Sequence, residues 1–292
     1  MNAVKEKAYA KINLYLDVTG KREDGFHDIK TVMHTVSLAD EITVFSDATR
    51  APSQIRLSIE GASFLPTDGR NLAVRAAKLF LDRAGISANI NIKMRKNIPV
   101  AAGLAGGSSD AAAVLRAMNR IFGKPFGEKA LLALAAELGS DVPYCLVGKT
   151  ALCEGRGEIM TRLPDLRGVH FLIVKIPEHV STPAAYGALD ELFCDFAAPH
   201  TAECSLDGLI SSLKSGALDT SLMYNIFERT VFRLVPSSEK IKKRLLELGA
   251  KNAMMSGSGP TVFGIFPSRA EATLASDALL SEGFTSFVAE SI

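Results

Sequence analysis

The feature that most constrains this chain is a run of glycine and serine that joins a strand pattern to a helix pattern. Apolar and polar residues alternate over positions 88–94, as in a strand with one buried face. Apolar residues over 114–122 then recur at helical spacing. The segment between them contains Gly103, Gly106 and Gly107, which permit backbone angles and close approaches that other residues forbid. We therefore expect a tight strand–loop–helix connection.

This loop has the composition of a phosphate-binding site. Ser108 and Ser109 fall where the helix pattern begins, so free backbone N–H groups and the positive end of the helix dipole face one point. Both hydroxyls can reach a phosphate or a magnesium ion. The simpler alternative is a tight turn with a Ser or Asp helix cap, which needs no ligand. A cap accounts for one such residue but not for three glycines and two serines, so a phosphate site is favoured.

Other nucleotide-binding classes do not fit the sequence. Gly148-Lys149-Thr150 has Pro143 where a P-loop requires its first glycine. The H-R-D and D-F-G motifs of protein kinases do not occur, and the loop lacks the G-x-G-x-x-G spacing of dinucleotide-binding folds.

Composition limits the remaining function classes. With 33 basic and 32 acidic residues the net charge is +1, so no long-range field favours nucleic acid or an anionic membrane. The length of 292 residues favours two domains. No apolar run resembles a signal peptide or a membrane span, and we expect a cytoplasmic protein. The cysteines lack the two-residue spacing of a zinc site and are expected to be reduced: Cys145, Cys153, Cys194 and Cys204.

The order of patterns predicts two α+β domains. The first begins with a strand over 8–16 that buries one face and places Lys11 and Asn13 on the other. Asn71 and Gly85 bound a helix, and a further helix ends at Gly139. Further strands are predicted around 32–36, 42–44, 55–59 and 169–176, and a strand–turn–strand over 254–266. Further helices are predicted near Pro143 and over 183–193, 205–213, 222–232 and 238–248. A last helix and a strand near Phe287 end the pattern.

Three segments resemble the signature motifs of the GHMP kinases, which phosphorylate galactose, homoserine, mevalonate and related alcohols. The loop Pro99-Val-Ala-Ala-Gly-Leu-Ala-Gly-Gly-Ser-Ser-Asp110 resembles their second motif. Ala10-Lys-Ile-Asn-Leu14 resembles the first, and Met255-Ser-Gly-Ser-Gly-Pro260 resembles the glycine-rich third. Gly25-Phe-His27, Gly139-Ser-Asp-Val-Pro143 and Ser181-Thr-Pro-Ala-Ala-Tyr186 are similar to members that act on a cytidylyl-linked methylerythritol in non-mevalonate isoprenoid synthesis, although many of these have tyrosine at the position of Phe26.

The resemblance implies a two-domain α+β architecture: a ribosomal S5 domain-2-like domain over 1–162 and a GHMP-type domain over 163–292, with ATP and substrate in the cleft between them. It implies ATP-dependent phosphorylation of a small alcohol with Mg2+, and no nucleic-acid or membrane partner. The oligomeric state and the magnesium ligands stay open. The alternatives are a mevalonate- or homoserine-type kinase, or a nucleotide-binding module that lost catalysis, against which the retention of both Lys11 and Asp141 argues.

The resemblance also assigns individual residues. Asp141 would be the general base, with Lys11 stabilising charge beside it; taken alone, Asp141 is a helix cap and Lys11 a solvated lysine. His27 would form a hydrogen bond to the cytosine, and the rings of Phe26 and Tyr186 would stack on its two faces. Without the resemblance, Phe26 and Tyr186 would be interpreted as packing residues. Ser256–Gly259 would support the glycine-rich loop Pro99–Asp110. The remaining assignments are substrate contacts for Asn13 and Thr182, and ATP contacts for Pro99, Val100, Ala101, Ala102, Gly103, Leu104, Ala105, Gly106, Gly107, Ser108, Ser109 and the helix-capping Asn71.

Overall fold

The computed structural model describes residues 2–48, 53–193 and 205–292, which form the elements below in chain order. The first part contains β1 (Asn2–Lys21), β2 (His27–Ala48), β3 (Ile55–Glu60), α1 (Leu72–Ala84), β4 (Ala88–Arg95), α2 (Gly106–Ile121), α3 (Glu128–Leu138) and α4 (Val142–Val147). The second contains β5 (Thr150–Gly155), β6 (Ile159–Arg162), β7 (His170–Lys175), α5 (Thr182–Leu192), α6 (Leu206–Lys214), β8 (Tyr224–Asn225), α7 (Glu228–Leu234), α8 (Pro236–Glu247), β9 (Asn252–Met255), β10 (Val262–Phe266), α9 (Arg269–Ser281) and β11 (Thr285–Glu290).

The chain divides into two compact units, and β1 and β2 contribute residues to both. The first unit contains the residues up to Ala10, Ala39–Val100 and Ala105–Val147. In it, β4 pairs antiparallel with β2 over 41–48 and parallel with β3. The helices α1, α2 and α3 pack together with these strands around an apolar core that includes Phe80, Ile90 and Val114.

The second unit contains Lys11–Leu38, Ala101–Leu104 and Gly148–Ile292. Its antiparallel sheet has the order β11-β7-β10-β9, and α8 and α9 pack on it. β2 pairs with β5 over 29–34, and β8 pairs parallel with β1 at Tyr15 and Leu16. The apolar cluster of this unit includes Leu172, Phe227 and Val262.

Most predicted elements are present. The helix after Asn71 is α1, whose first turn donates from Ala73 N to Asn71 Oδ1 and which ends at Gly85 in the left-handed conformation. The helices α3, α4, α5, α6, α8 and α9 and the strand–turn–strand of β9 and β10 follow the predicted patterns. The strands β5 and β6 were not predicted.

Three expectations were wrong in detail. The strand segments around 32–36 and 42–44 are one continuous strand, β2. The helix expected over 222–232 begins only at Glu228, because 224–225 form β8. β1 does not bury a single face, since Lys11 and Asn13 are 4% and 1% exposed; within the second unit Asn13 is covered by Thr31 and Gly257.

No described helix combines the length and apolar character needed to cross a membrane. Cys145 and Cys153 are not joined to each other by a disulfide bond, and Cys153 is buried. The predictions for Cys194 and Cys204 lie outside the described residues.

Candidate active site

The loop predicted to bind phosphate leads into α2 with an open helix N-terminus. Ala105 occupies the N-cap position at φ 56°, and no side chain in the described parts of the chain accepts a hydrogen bond from the first turn. Asn71 and Ser181 fill that role for α1 and α5. The capping alternative for this loop is therefore wrong, and the N–H groups of the first turn are available to an anion.

The loop before α2 holds an unusual backbone. Ala101 and Ala105 have φ values of 55° and 56°, which non-glycine residues rarely adopt, and Gly103 has a φ of 70°. Backbone of this kind persists where the surroundings impose it, typically at ligand sites. The surroundings include the third motif, because Ser256 Oγ donates to Gly103 O over 3.0 Å and a Cβ at position 103 would collide with Ser256 O. The prediction that Ser256–Gly259 supports the first loop is confirmed at Ser256.

The two helical glycines differ in what surrounds them. A Cβ at Gly106 would lie 3.2 Å from Ile98 Cγ2, which is a tight contact. At Gly107 it would meet only Leu72 Cδ1 at 3.7 Å, an ordinary contact. Gly107 is exposed, so this position leaves the backbone accessible rather than relieving a steric conflict. The neighbouring Ser109 is buried and donates from Oγ to Tyr9 O over 2.7 Å.

A buried charge cluster that the sequence patterns did not reveal holds both ends of this loop in the first unit. Lys96 Nζ donates to Asp110 Oδ2 over 2.7 Å and also to Asp40. Asp40 Oδ1 accepts from the backbone N–H of Asn97 and Ile98 at 2.6 and 2.8 Å. The cluster thus ties the chain entering the loop to the first turns of α2. Asp110 occupies a position among the apolar residues of α2, and this pattern could have indicated a buried carboxylate.

Burial controls the ionisation of this cluster. Burial raises the pKa of Asp110 above its ordinary value; Lys96 opposes the increase and the Asp40 carboxylate adds to it. Burial alone would lower the pKa of Lys96, but Asp110 and Asp40 together raise it. Lys96 therefore stays charged, and loss of its charge would leave buried carboxylates without compensation.

Lys11 lies in the second unit with its ammonium held by a neighbour on β1. Lys11 Nζ donates to Asn13 Oδ1 over 2.8 Å, and its backbone N–H donates to Leu104 O over 3.1 Å. Gly257 N also donates to Asn13 Oδ1, over 2.9 Å. The first, second and third motifs therefore meet at Lys11. The interpretation of Lys11 as a solvated lysine is wrong, because the residue is 4% exposed.

Asp141 lies in the first unit, immediately before α4. Its carbonyl accepts from Cys145 N over 3.0 Å, which starts that helix, and the residue is partly buried. The predicted adenine contact, Asn71, has both side-chain amide atoms engaged: Oδ1 accepts from Ala73 N and Nδ2 donates to Pro66 O, each at 2.9 Å. Its helix-capping role is confirmed, while its adenine contact stays a prediction.

The predicted pyrimidine residues lie in the second unit. The rings of His27 and Tyr186 are stacked with their centroids 4.7 Å apart, and Tyr186 meets Phe227 edge-on. His27 Nε2 lies 2.7 Å from Asp190 Oδ1. Partial burial opposes ionisation of Asp190, yet hydrogen bonds from Lys21 and His27 hold its pKa below the ordinary value.

The remaining two substrate candidates are exposed. Phe26 is 52% exposed, and the Arg156 guanidinium lies 4.9 Å from its ring centroid. Thr182 opens α5 and shares a 3.1 Å hydrogen bond with Ser258 of the third motif. Asp190 and Arg156 extend the candidate site beyond the predicted residues, and neither stands in a motif.

Two family models match this chain. The family model described as the GHMP kinases N terminal domain matches residues 71–149, and that of the GHMP kinases C terminal domain matches residues 208–285. The chain belongs to the GHMP kinases, and its mixed α and β structure has the two-domain architecture of that family.

Two similar proteins carry the same name. A 4-diphosphocytidyl-2-C-methyl-D-erythritol kinase of Lachnospira eligens is 47% identical, covering 91% of this chain and 90% of that protein. The enzyme of the same name from Clostridium beijerinckii is 40% identical, covering 99% and 100%. A crystal structure of 4-(cytidine 5'-diphospho)-2C-methyl-D-erythritol kinase superposes with a TM-score of 0.79 at 33% identity, covering 98% of both chains. A homoserine kinase from Cytophaga hutchinsonii, at 22% identity and a TM-score of 0.75, covers 100% and 95% and shares the fold.

Proposed function

We propose that this chain transfers the γ-phosphate of ATP to the 2-hydroxyl of 4-diphosphocytidyl-2-C-methyl-D-erythritol. The observation that carries the proposal is the near-full-length identity of 40% to 47% to kinases named for that substrate. The open N-terminus of α2, beside a loop with left-handed Ala101 and Ala105, supports the phosphate-donor half of the reaction.

The loop geometry supports the proposed ATP site. We assign the triphosphate to the N–H groups of residues 106–108, where the helix dipole favours negative charge; the N–H of Ser109 already donates to Ala105 O. The segment Pro99–Ala105 shapes the approach to this point, and Asn71 remains a candidate for the adenine side.

Asp141 and Lys11 are proposed as the catalytic pair. The Asp141 carboxylate would accept the proton of the attacking hydroxyl, a role that typically contributes ~10²–10⁴-fold to rate. The Lys11 ammonium would stabilise the negative charge that develops during transfer. Asn13 holds this ammonium in place, and its predicted substrate contact is retained as part of the proposal.

The residues at the loop fit a magnesium–nucleotide complex. Hydroxyl oxygens suit Mg2+, which typically takes few protein ligands beside phosphates and water. Ser108 and Ser109 supply such oxygens at the start of α2, and the Ser109 hydroxyl is oriented by its bond to Tyr9 O. Bound with ATP, Mg2+ would neutralise charge on the β- and γ-phosphates.

The cytidine moiety is assigned to the group around His27 and Tyr186. Stacking on a ring tolerates any pyrimidine, so discrimination falls to hydrogen bonds at the base edge. We assign these to His27, with Phe26 and Thr182 as further contacts. We place the reaction in the cytoplasm and keep 162/163 as the proposed domain boundary.

A substrate panel tests the function. ADP release is measured with ATP and the cytidylyl substrate, its uridylyl analogue, mevalonate and homoserine. We expect turnover of the cytidylyl substrate to be fastest, with a preference over the uridylyl analogue that narrows in His27→Ala. Tyr186→Ala should raise KM for the cytidylyl substrate and leave KM for ATP nearly unchanged.

The panel also separates the alternatives. Faster use of mevalonate or homoserine would replace the substrate assignment and keep the kinase. Absence of ADP formation with every alcohol would indicate a nucleotide-binding module without catalysis.

A further inference from the structure

The Lys11 ammonium stands at the end of a long side chain and yet is fixed in a buried environment. The residue is 4% exposed, and Nζ donates to Asn13 Oδ1 over 2.8 Å. A lysine side chain carries its ammonium on a flexible four-carbon stem, so a defined Nζ position requires partners that hold it. The question is what holds Asn13 in turn.

The orientation of the Asn13 amide is determined by its neighbours. Thr31 Oγ1 donates to Tyr15 O over 2.6 Å, which commits the hydroxyl hydrogen and leaves Thr31 Oγ1 as an acceptor. Asn13 Nδ2 donates to that oxygen over 2.8 Å. Asn13 Oδ1 therefore faces Lys11. With the amide turned the other way, Asn13 Nδ2 would face the Lys11 ammonium, and both groups are donors.

The third motif supplies the second donor to Asn13. Gly257 N donates to Asn13 Oδ1 over 2.9 Å from a left-handed backbone with φ +59°. A Cβ at position 257 would lie 3.2 Å from Lys11 Nζ and 3.0 Å from Gly103 O. The backbone at Gly257 thus lies close to the ammonium and leaves no room for a side chain between them.

Asn225 on β8 holds this glycine turn from the other side. Asn225 Nδ2 donates to Met255 O over 2.7 Å and to Gly257 O over 2.9 Å. Its Oδ1 accepts from Phe227 N over 3.0 Å, so all three bonds fix one amide orientation. Asn225 is 3% exposed. Its strand pairs with β1, two positions beyond Asn13 at Tyr15.

We propose that Asn225 is a positioning residue for Lys11, acting through the Gly257 backbone and the Asn13 amide. The proposal rests on the catalytic role assigned to Lys11 above. Its two donated bonds hold the carbonyls of Met255 and Gly257, which belong to the peptides on either side of the Gly257 N–H that shares Asn13 Oδ1 with Lys11.

The competing explanation is that Asn225 only stabilises the fold of the glycine turn. A structural role would lower the melting temperature and reduce activity regardless of what stands at position 11. A positioning role predicts a loss in kcat that depends on Lys11, with KM values for ATP and alcohol little changed.

The test is a double-mutant cycle on the full chain. The kcat, the KM values for ATP and alcohol, and the melting temperature are measured for wild type, Asn225→Ala, Lys11→Met and the double variant. Asn225→Asp is measured in parallel, because it keeps the acceptor for Phe227 N–H, loses the two donated bonds and places a carboxylate oxygen against the carbonyls of Met255 and Gly257. Asn252→Ala is the matched control: Asn252 also bonds two backbone groups, Thr220 O and Ala253 N, in the same unit.

We expect Asn225→Ala and Asn225→Asp to lower kcat about 10- to 100-fold, the range associated with a misplaced catalytic group. In the Lys11→Met background the same change should cost less than about twofold, and Asn252→Ala should keep wild-type kcat. Equal losses in both backgrounds, or unchanged kcat in the folded variants, would overturn the proposal. Wild-type turnover by Lys11→Met would instead remove Lys11 from the proposed mechanism.

Discussion

The two residues proposed for catalysis differ in how tightly the chain holds them. Lys11 is enclosed and bonded to Asn13, whereas Asp141 is partly buried and stands at the start of the six-residue helix α4. A general base must reach a substrate proton, and partial exposure suits that task. Asparagine matches aspartate in shape and also serves at helix starts, so a substitution can separate chemistry from structure.

Asp141→Asn should lower kcat by ~10²-fold or more, the contribution expected of a general base. The melting temperature and the KM for ATP should stay close to wild type. Asp219→Asn is a suitable control, because it changes an exposed carboxylate that caps the short 3-10 helix Thr220–Leu222. Steady-state kinetics and thermal melts measure both variants. Wild-type turnover by Asp141→Asn would remove this carboxylate from the mechanism.

Single residues show how far sequence patterns extend. Asn71 could be identified as a helix cap because capping is local, set by residues two positions apart. Asn225 and Asp190 could not be identified, because their partners lie 30 and 163 positions away. The enclosure of Lys11 also depends on remote segments, which strand alternation does not reveal.

At the scale of elements, the start of α2 is where sequence and structure agree most closely. Its composition predicted a phosphate site, and the helix begins within the glycine run with an N-terminus that no described side chain caps. By contrast, β2 and the start of α7 were misjudged, because pairing with β4 and β5 and the bonds of Asn225 override local patterns.

Gly107→Ala tests the phosphate site at the level of the helix. Gly107 is a helical position with room for a Cβ, so the substitution should leave the melting temperature unchanged or slightly higher. The methyl group would stand on the open face of the first turn and weaken ATP binding about tenfold, equivalent to ~1.4 kcal/mol. Calorimetric titration with ATP measures this change.

Gly187→Ala provides the control for that experiment. Gly187 lies inside α5, and a Cβ there would meet nothing within 4 Å. It should raise helix stability similarly while leaving ATP affinity unchanged. Equal ATP affinity in both variants would mean that the triphosphate binds elsewhere.

At the scale of the molecule, two apolar cores and a few buried polar groups determine stability. The number of α+β units could be anticipated from length and pattern, but not that β1 and β2 serve both units. Nor could the sequence indicate which titratable groups would be buried. His34 is one of these: Nδ1 lies 2.9 Å from Thr150 Oγ1, and Nε2 is buried with no partner among the described residues.

His34 should make the folded protein sensitive to mild acid. Burial lowers the pKa of His34 from 6.5 to about 4. Two nearby charges have smaller effects on this pKa: Asp165 raises it and Lys149 lowers it. Between these values the unfolded chain binds a proton that the folded chain does not, so stability falls as pH decreases through this window. The loss of stability should reach about 3 kcal/mol by pH 4, since each pKa unit corresponds to ~1.4 kcal/mol.

His34→Gln cannot gain this charge. In urea unfolding from pH 7 to 4.5, the free energy of unfolding should therefore decline less steeply for the variant than for wild type. Parallel declines in the two proteins would show that His34 does not govern the acid response.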